Sequence, residues 1–270
     1  VITEAGLAGW AAGRADIRLV LRTGSRARRD GTADAFSDHD IELFTTDPDA
    51  YADDADWPAE LGPVLVSVGL DGPWDNPARL VLFTDGVKAD FQVVPLALVE
   101  ELAGELDDLH ERGYEVLYDP DGLAARLPAP TGRPRPEPVT ESDFRELCAE
   151  FWFEIAHLPR YLARGELWVV QSRDWTTKEL LQTLVEWHAQ AVRGADLDVW
   201  HGGTRMREWA APGVWERLPE TFGGFDAEGA RRAAHATGVL FAELAREVAK
   251  IHDFPYDPAP ETAILPQLTP

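Results

Sequence analysis

Two rhythms of apolar positions divide the chain. In the first half, short apolar or alternating runs at 17–22, 41–45, 64–68, 80–84 and 87–94 are separated by turn residues, and each predicts a strand. The last two flank Asp85-Gly86, a pair that tolerates positive φ and suits a tight hairpin turn. Helical spacing occupies 2–14, part of 27–34, 49–60 and 96–112, the last stopped by Gly113. Within 88–93 the polar set Lys88, Asp90 and Gln92 alternates with Ala89, Phe91 and Val93, so the strand buries one face and leaves Asp90 on the other.

The second half is helical almost throughout. Thr140 with Asp143 three residues on forms a capping box, and Phe144, Leu147, Phe151, Ile155 and Leu158 follow at spacings of three and four. Further helices are expected at 177–193, 203–209 and 227–252, with Asp174 and Trp175 as a cap and a packing ring just before the first of these. Tryptophans 152, 168, 175, 187, 200, 209 and 215 read as core rings. Between the halves, LPAPTGRPRPEP at 127–138 holds five prolines and excludes both helix and paired strand. The expected organisation is α+β: a mixed-sheet domain over 1–133, then a helical bundle over 134–270.

Composition narrows the classes. At 270 residues with 45% apolar and 27% charged positions, the chain can fill two cores, and no apolar run reaches the length of a membrane span. No leader pattern opens it, so the expected compartment is the cytoplasm. One cysteine, Cys148, excludes an internal disulfide, and seven scattered histidines offer no spaced zinc set. A net charge of −23 opposes nucleic acid and anionic membrane as partners and favours a cationic one.

The candidate chemistry sits at 18–44. A strand runs into Thr23-Gly24-Ser25-Arg26, where a glycine, a hydroxyl and backbone N–H groups at a strand-to-helix turn suit phosphate. Farther on, Asp38 and Asp40 open the next strand; two positions apart, they project to one face and can hold a hard divalent cation. Asp90 supplies a third carboxylate if its strand lies beside theirs. Such a set makes a site for Mg2+ and a nucleoside triphosphate.

Gly24-Ser25-Arg26, Asp38-x-Asp40 and the later Asp90 together resemble the polymerase-β-type nucleotidyltransferases. The surrounding residues resemble the aminoglycoside 6-adenylyltransferase (streptomycin adenylyltransferase) family, and so do Glu150-Phe151-Trp152, the run from Tyr161 to Trp168, Lys178 and Leu184-Val185-Glu186-Trp187. Two departures stand out: Arg164 replaces a usual lysine and Lys178 a usual arginine, each keeping charge and changing hydrogen-bond geometry. The resemblance implies AMP transfer from Mg-ATP to an aminoglycoside hydroxyl. Gly24, Ser25, Arg26, Arg164 and Lys178 would hold the nucleotide, Asp38 and Asp40 the metal, and Asp90 would be third ligand or general base.

The acceptor is expected to be a polycation such as streptomycin, which needs carboxylates to receive it. Glu150 and Glu154, four apart on one helical face, are candidates as substrate contacts or as an alternative base, and Asp174 as a further contact. A lincosamide or other small hydroxylated acceptor, an enzyme that adenylylates a protein or an RNA end, and a non-catalytic nucleotide-binding protein remain as alternatives.

Overall fold

A computed structural model describes residues 2–28, 30–31, 33–73, 76–133, 136–199 and 201–269, apart from the Asp53 side chain. The chain divides into two compact units, Val1–Arg135 and Pro136–Pro270. The first contains a six-stranded mixed sheet: β1 (Ile17–Thr23), β2 (His39–Thr45), β3 (Val64–Asp71), β4 (Pro77–Phe83), β5 (Lys88–Pro95) and β6 (Glu115–Tyr118). Their order is β3-β4-β5-β2-β1-β6, with β2 and β5 parallel and every other pair antiparallel. The five expected strands are present, some extended by a few residues. Edge strand β6 was not expected, since Glu-Val-Leu-Tyr is too short to carry a period.

Among the described residues this unit has five short helices: α1 (Glu4–Ala12), α2 (Gly24–Ala27), α3 (Asp49–Asp53), α4 (Leu98–Gly104) and α5 (Asp108–Glu111). The helix expected over 96–112 is thus two pieces. Glu105 turns extended, Leu106 is buried, and Asp107 starts the second piece by accepting a hydrogen bond from the His110 backbone N–H. Likewise 49–60 becomes α3 and a 3-10 turn at Trp57–Glu60. Of 27–34, Arg29 and Thr32 lie outside the described residues, and the helix beside that segment is α2, ending at Ala27.

The sheet carries a different core on each face. On one face, Ile41, Leu43, Phe91, Val93, Val81 and Phe83 pack with Leu7 of α1, Tyr51 and Trp57. On the other, Phe44, Val94, Leu19 and Leu21 pack under Val99 and Leu102 of α4, with Leu106 and Leu127. That second core covers only one end of its face. In register along β2 and β5, the pairs on it run Phe44↔Val94, Glu42↔Gln92 and Asp40↔Asp90, from apolar core to carboxylates.

The second unit holds α6 (Glu141–Ile155), α7 (Leu158–Ala163), α8 (Leu167–Arg193), α9 (Met206–Trp209), α10 (Ala227–His252) and α11 (Ala259–Leu268). The Thr140/Asp143 capping box opens α6, and Asp226 caps α10 at Gly229 N–H. Phe151 of α6 stacks on Phe241 of α10 at 3.5 Å between ring centres, in the core shared with Leu181, Leu184 and Val185 of α8. Helix α8 starts ten residues before the expected position. Val170 continues the buried series Thr177, Leu181, Leu184 and His188 upstream, so burial carries the helix through the Asp174–Thr177 cap signal. Asp174 and Trp175 are therefore mid-helix and cap nothing. Trp152 and Trp209 are core rings as expected, whereas Trp168 and Trp175 are 80% and 60% exposed, and Trp200 lies outside the described residues. Among the described residues no helix is long and apolar enough to cross a membrane.

A buried polar group sits between apolar core and carboxylates. His110 and Glu42 are almost fully buried, and the His110 ring bonds Glu42 at 2.8 Å through Nε2 and Asp107 at 2.7 Å through Nδ1. Burial by itself would lower the imidazole, but these two carboxylates outweigh it and push it up to about 10. The imidazolium in turn gives buried Glu42 a counter-charge, which burial would otherwise make costly. Because the folded-state value lies above the ordinary 6.5, this stabilisation is complete below pH 6.5 and is lost as pH rises through about 10. Urea unfolding of the sheet unit should accordingly show a midpoint that falls between pH 7 and 10 in the wild type. In His110→Asn it should be lower at pH 7 and lose most of that slope; parallel pH profiles would contradict the assignment.

Candidate active site

The carboxylate end of the β2–β5 pair is assembled by register. Parallel pairing sets Asp40 opposite Asp90, and Asp38 lies one residue before β2, two positions from Asp40. Burial first, then the charges of Asp90 and Asp38, push the Asp40 carboxyl up to about 6, while Lys88 acts in the opposite sense. The Lys88 ammonium bridges Asp38 Oδ2 at 2.7 Å and Asp90 Oδ2 at 3.1 Å. Asp90 Oδ1 is buried with no hydrogen-bond partner.

Gly24, the first residue after β1, closes the site. It has φ +64, and a Cβ there would stand 1.9 Å from Asp40 Oδ2, so conformation and space both require glycine. Thr23 pairs with Asp40 across β1 and β2, which puts the Gly24-Ser25 turn beside the carboxylates. Arg26 reaches back instead: its Nε and Nη2 donate to the Ser37 carbonyl and its Nε also to the Asp38 carbonyl, at 2.7–3.0 Å. It therefore anchors the segment that presents Asp38.

The remaining candidates belong to the second unit. Glu150 is exposed on α6, and Glu154 is mostly buried, accepting from Arg173 Nη1 at 2.6 Å. Arg164 ends α7, exposed, with its guanidinium 5.8 Å from the Tyr161 ring centre. Asp174 and Lys178, one turn apart on α8, pair at 2.6 Å, and Lys178 also donates to Thr237 of α10 at 2.9 Å. Burial lowers the Lys178 ammonium and Asp174 opposes the shift. Trp175, Lys178, Met206, Leu218 and Phe222 line a cavity of about 120 Å3 in this unit.

Within the first unit the structure thus brings together Gly24, Ser25, Asp38, Asp40 and Asp90; within the second it joins Asp174 to Lys178 and ties Glu154 to Arg173. Lys88 and the His110–Glu42 pair were not anticipated. Lys88 left a signal, standing two residues before Asp90 on the same strand face. His110 left none, because 68 residues separate it from Glu42. Among the described residues no three or more His, Cys, Asp or Glu side chains converge closely enough to hold a metal by themselves.

Comparison with known proteins extends across both units. The family model described as streptomycin adenylyltransferase matches residues 5–266. An aminoglycoside 6-adenylyltransferase of Campylobacter jejuni is 29% identical over 252 residues, which cover 89% of this chain and 84% of that protein. One from Bacillus subtilis (strain 168) is 27% identical over 220 residues, covering 76% and 74%. A crystal structure of an aminoglycoside 6-adenyltransferase from Bacillus subtilis aligns with 99% of this chain and 98% of its own, at 18% identity and a TM-score of 0.47. With the family match running from α1 to α11, the chain belongs to the streptomycin adenylyltransferase family and is a nucleotidyltransferase.

Proposed function

We propose that this enzyme transfers AMP from Mg-ATP to a hydroxyl of an aminoglycoside and releases pyrophosphate, with streptomycin as the acceptor. The observation that carries the reading is the in-register Asp40–Asp90 pair with Asp38 beside it, at the open end of a sheet face and against a turn that must be glycine. Three carboxylates with one ammonium among them form an anionic site of hard oxygen donors, which fits Mg2+, and the unpartnered Asp90 Oδ1 is left as a free proton acceptor beside it. Among the described residues no three carboxylates enclose a point, which accords with an ion that takes one or two protein carboxylates and completes its shell with substrate phosphate and water. Held by Asp38 and Asp40, Mg2+ would neutralise charge on the phosphates.

The chain's own groups supply the rest. Gly24 and Ser25 offer a backbone N–H and a hydroxyl to phosphate oxygens beside Asp40. Asp90 accepts the proton of the acceptor hydroxyl as its oxygen bonds to the α-phosphorus and the bond to the leaving pyrophosphate breaks. Arg26 serves by holding the Asp38 segment. Arg164 is an exposed cation for phosphate; Lys178 would reach one only by exchanging Asp174 for it. Glu150 and Glu154 are the acceptor contacts, with Asp174 a third while its carboxylate is shared with Lys178.

The acceptor assignment rests on charge. The chain has 27 acidic and 12 basic residues up to Pro138 and 21 and 13 from Val139 onward, a field that attracts a polycation and does little for a neutral ligand. Guanidinium groups can also form bidentate pairs with carboxylates such as Glu150.

Asp38→Asn and Asp40→Asn should leave the circular dichroism spectrum intact and slow pyrophosphate release on the order of a hundredfold, the effect of losing about 3 kcal/mol of charge stabilisation. Near-normal rates at saturating Mg2+ would remove both from the mechanism. Streptomycin should be a better substrate than lincomycin, with a KM that rises with ionic strength and rises again in Glu150→Gln while the KM for ATP stays put. Faster turnover of lincomycin, or a streptomycin KM indifferent to salt, would reject the acceptor assignment.

A further inference from the structure

Lys88 stands where a bound cation would compete with it. It shares with Asp90 the polar face of β5, two residues away, so strand geometry keeps its ammonium over that face. Asp38 is at the position facing Lys88 if the β2–β5 register is continued one step beyond His39↔Ala89. The ammonium touches both carboxylates, at 2.7 and 3.1 Å. Among the described residues it is the one cation that pairs with either: Arg26 spends its guanidinium on the Ser37 and Asp38 carbonyls, and His39 projects from the opposite face of β2.

We infer that Lys88 is a positioning residue, an intrinsic counter-ion that holds Asp38 and Asp90 together before a divalent cation arrives and gives up both carboxylates when it binds. The inference rests on the proposed cation site, and it concerns the metal-free protein, which the adenylyl-transfer reading leaves undescribed. Two physical facts support it. Like charges on adjacent strands repel, and a positive charge placed among them relieves that repulsion. A lysine does this reversibly: its ammonium is a compact, hydrated charge on a flexible stem, and here the side chain is 42% exposed, so it can leave for solvent without opening the core. An arginine buried in a bidentate pair would resist displacement.

A trade-off follows. Lys88 stabilises the metal-free site and, by the same contacts, weakens cation binding, because every binding event must break two charge-assisted hydrogen bonds. Removing the charge should lower the stability of the metal-free protein and tighten metal affinity. A residue with only a packing role would lower stability with and without metal alike, and would not improve affinity.

The experiment uses the intact chain and Mn2+ as probe, with binding followed by electron paramagnetic resonance or calorimetry and Tm measured in chelator and in saturating Mn2+. Titrations are run alone and with a non-hydrolysable ATP analogue, on wild type, Lys88→Met, Lys88→Gln and Lys88→Arg. The two uncharged variants should melt lower than wild type in chelator, show a larger Mn2+-induced rise in Tm, and bind Mn2+ about tenfold more tightly. Lys88→Arg should retain wild-type stability without metal and bind Mn2+ no more tightly than wild type. Using two uncharged variants guards against one failing to fold. Unchanged or weaker Mn2+ affinity in both overturns the role of Lys88, as does the absence of Mn2+ binding by every protein under both conditions. Tightened binding in an enzyme that releases no pyrophosphate would instead keep the role and reject adenylyl transfer, so the two failures are told apart.

Discussion

Everything at the candidate site depends on one parallel strand pair. Because β2 and β5 run side by side in register, each residue on the site face of one strand has a neighbour of similar environment on the other, and the series changes from Phe44 and Val94 to Asp40 and Asp90 within four residues. The apolar end is packed under α4. A shift of one residue would turn Asp90 into the core and bring Phe91 or Ala89 to the site face. Hydrophobic burial at one end of the strands therefore fixes carboxylate geometry at the other.

The cost of that arrangement is electrostatic, and the first unit meets it in two ways. At the buried middle, Glu42 is matched with an imidazolium that Asp107 also holds, so the charge is paired out of solvent. At the open end Asp38 and Asp90 share a partly exposed ammonium, and Asp40, pressed by both neighbours and by burial, is held far above its usual range. The inner pair is closed off from solvent, whereas the outer one is partly open to it.

In the second unit Lys178 follows the rule of the inner pair. Lys178 is nearly buried, with Asp174 one turn back and Thr237 across on α10. A lysine at that depth is tolerable only with such partners. By contrast Glu150, Arg164, Trp168 and Trp175 are exposed.

By itself the sequence determined the periodic elements. The strands at 17–22, 41–45 and 87–94, the capping box at Thr140 and the helix over 227–252 were legible because apolar period and end signals agree there. So was the local spacing of Asp38 and Asp40, and the Gly24 turn. Tertiary structure decided what depends on distant partners: that β5 pairs with β2 in parallel and in register, which makes Asp90 a neighbour of Asp40 across fifty residues; that burial of Val170 carries α8 through a cap signal; and that His110 meets Glu42. The reason is the range of the forces involved. Hydrophobic period and capping act within a turn or two of chain and leave a local trace, whereas a buried ion pair or a shared ammonium is selected by the space the folded chain encloses, and leaves none until that space exists.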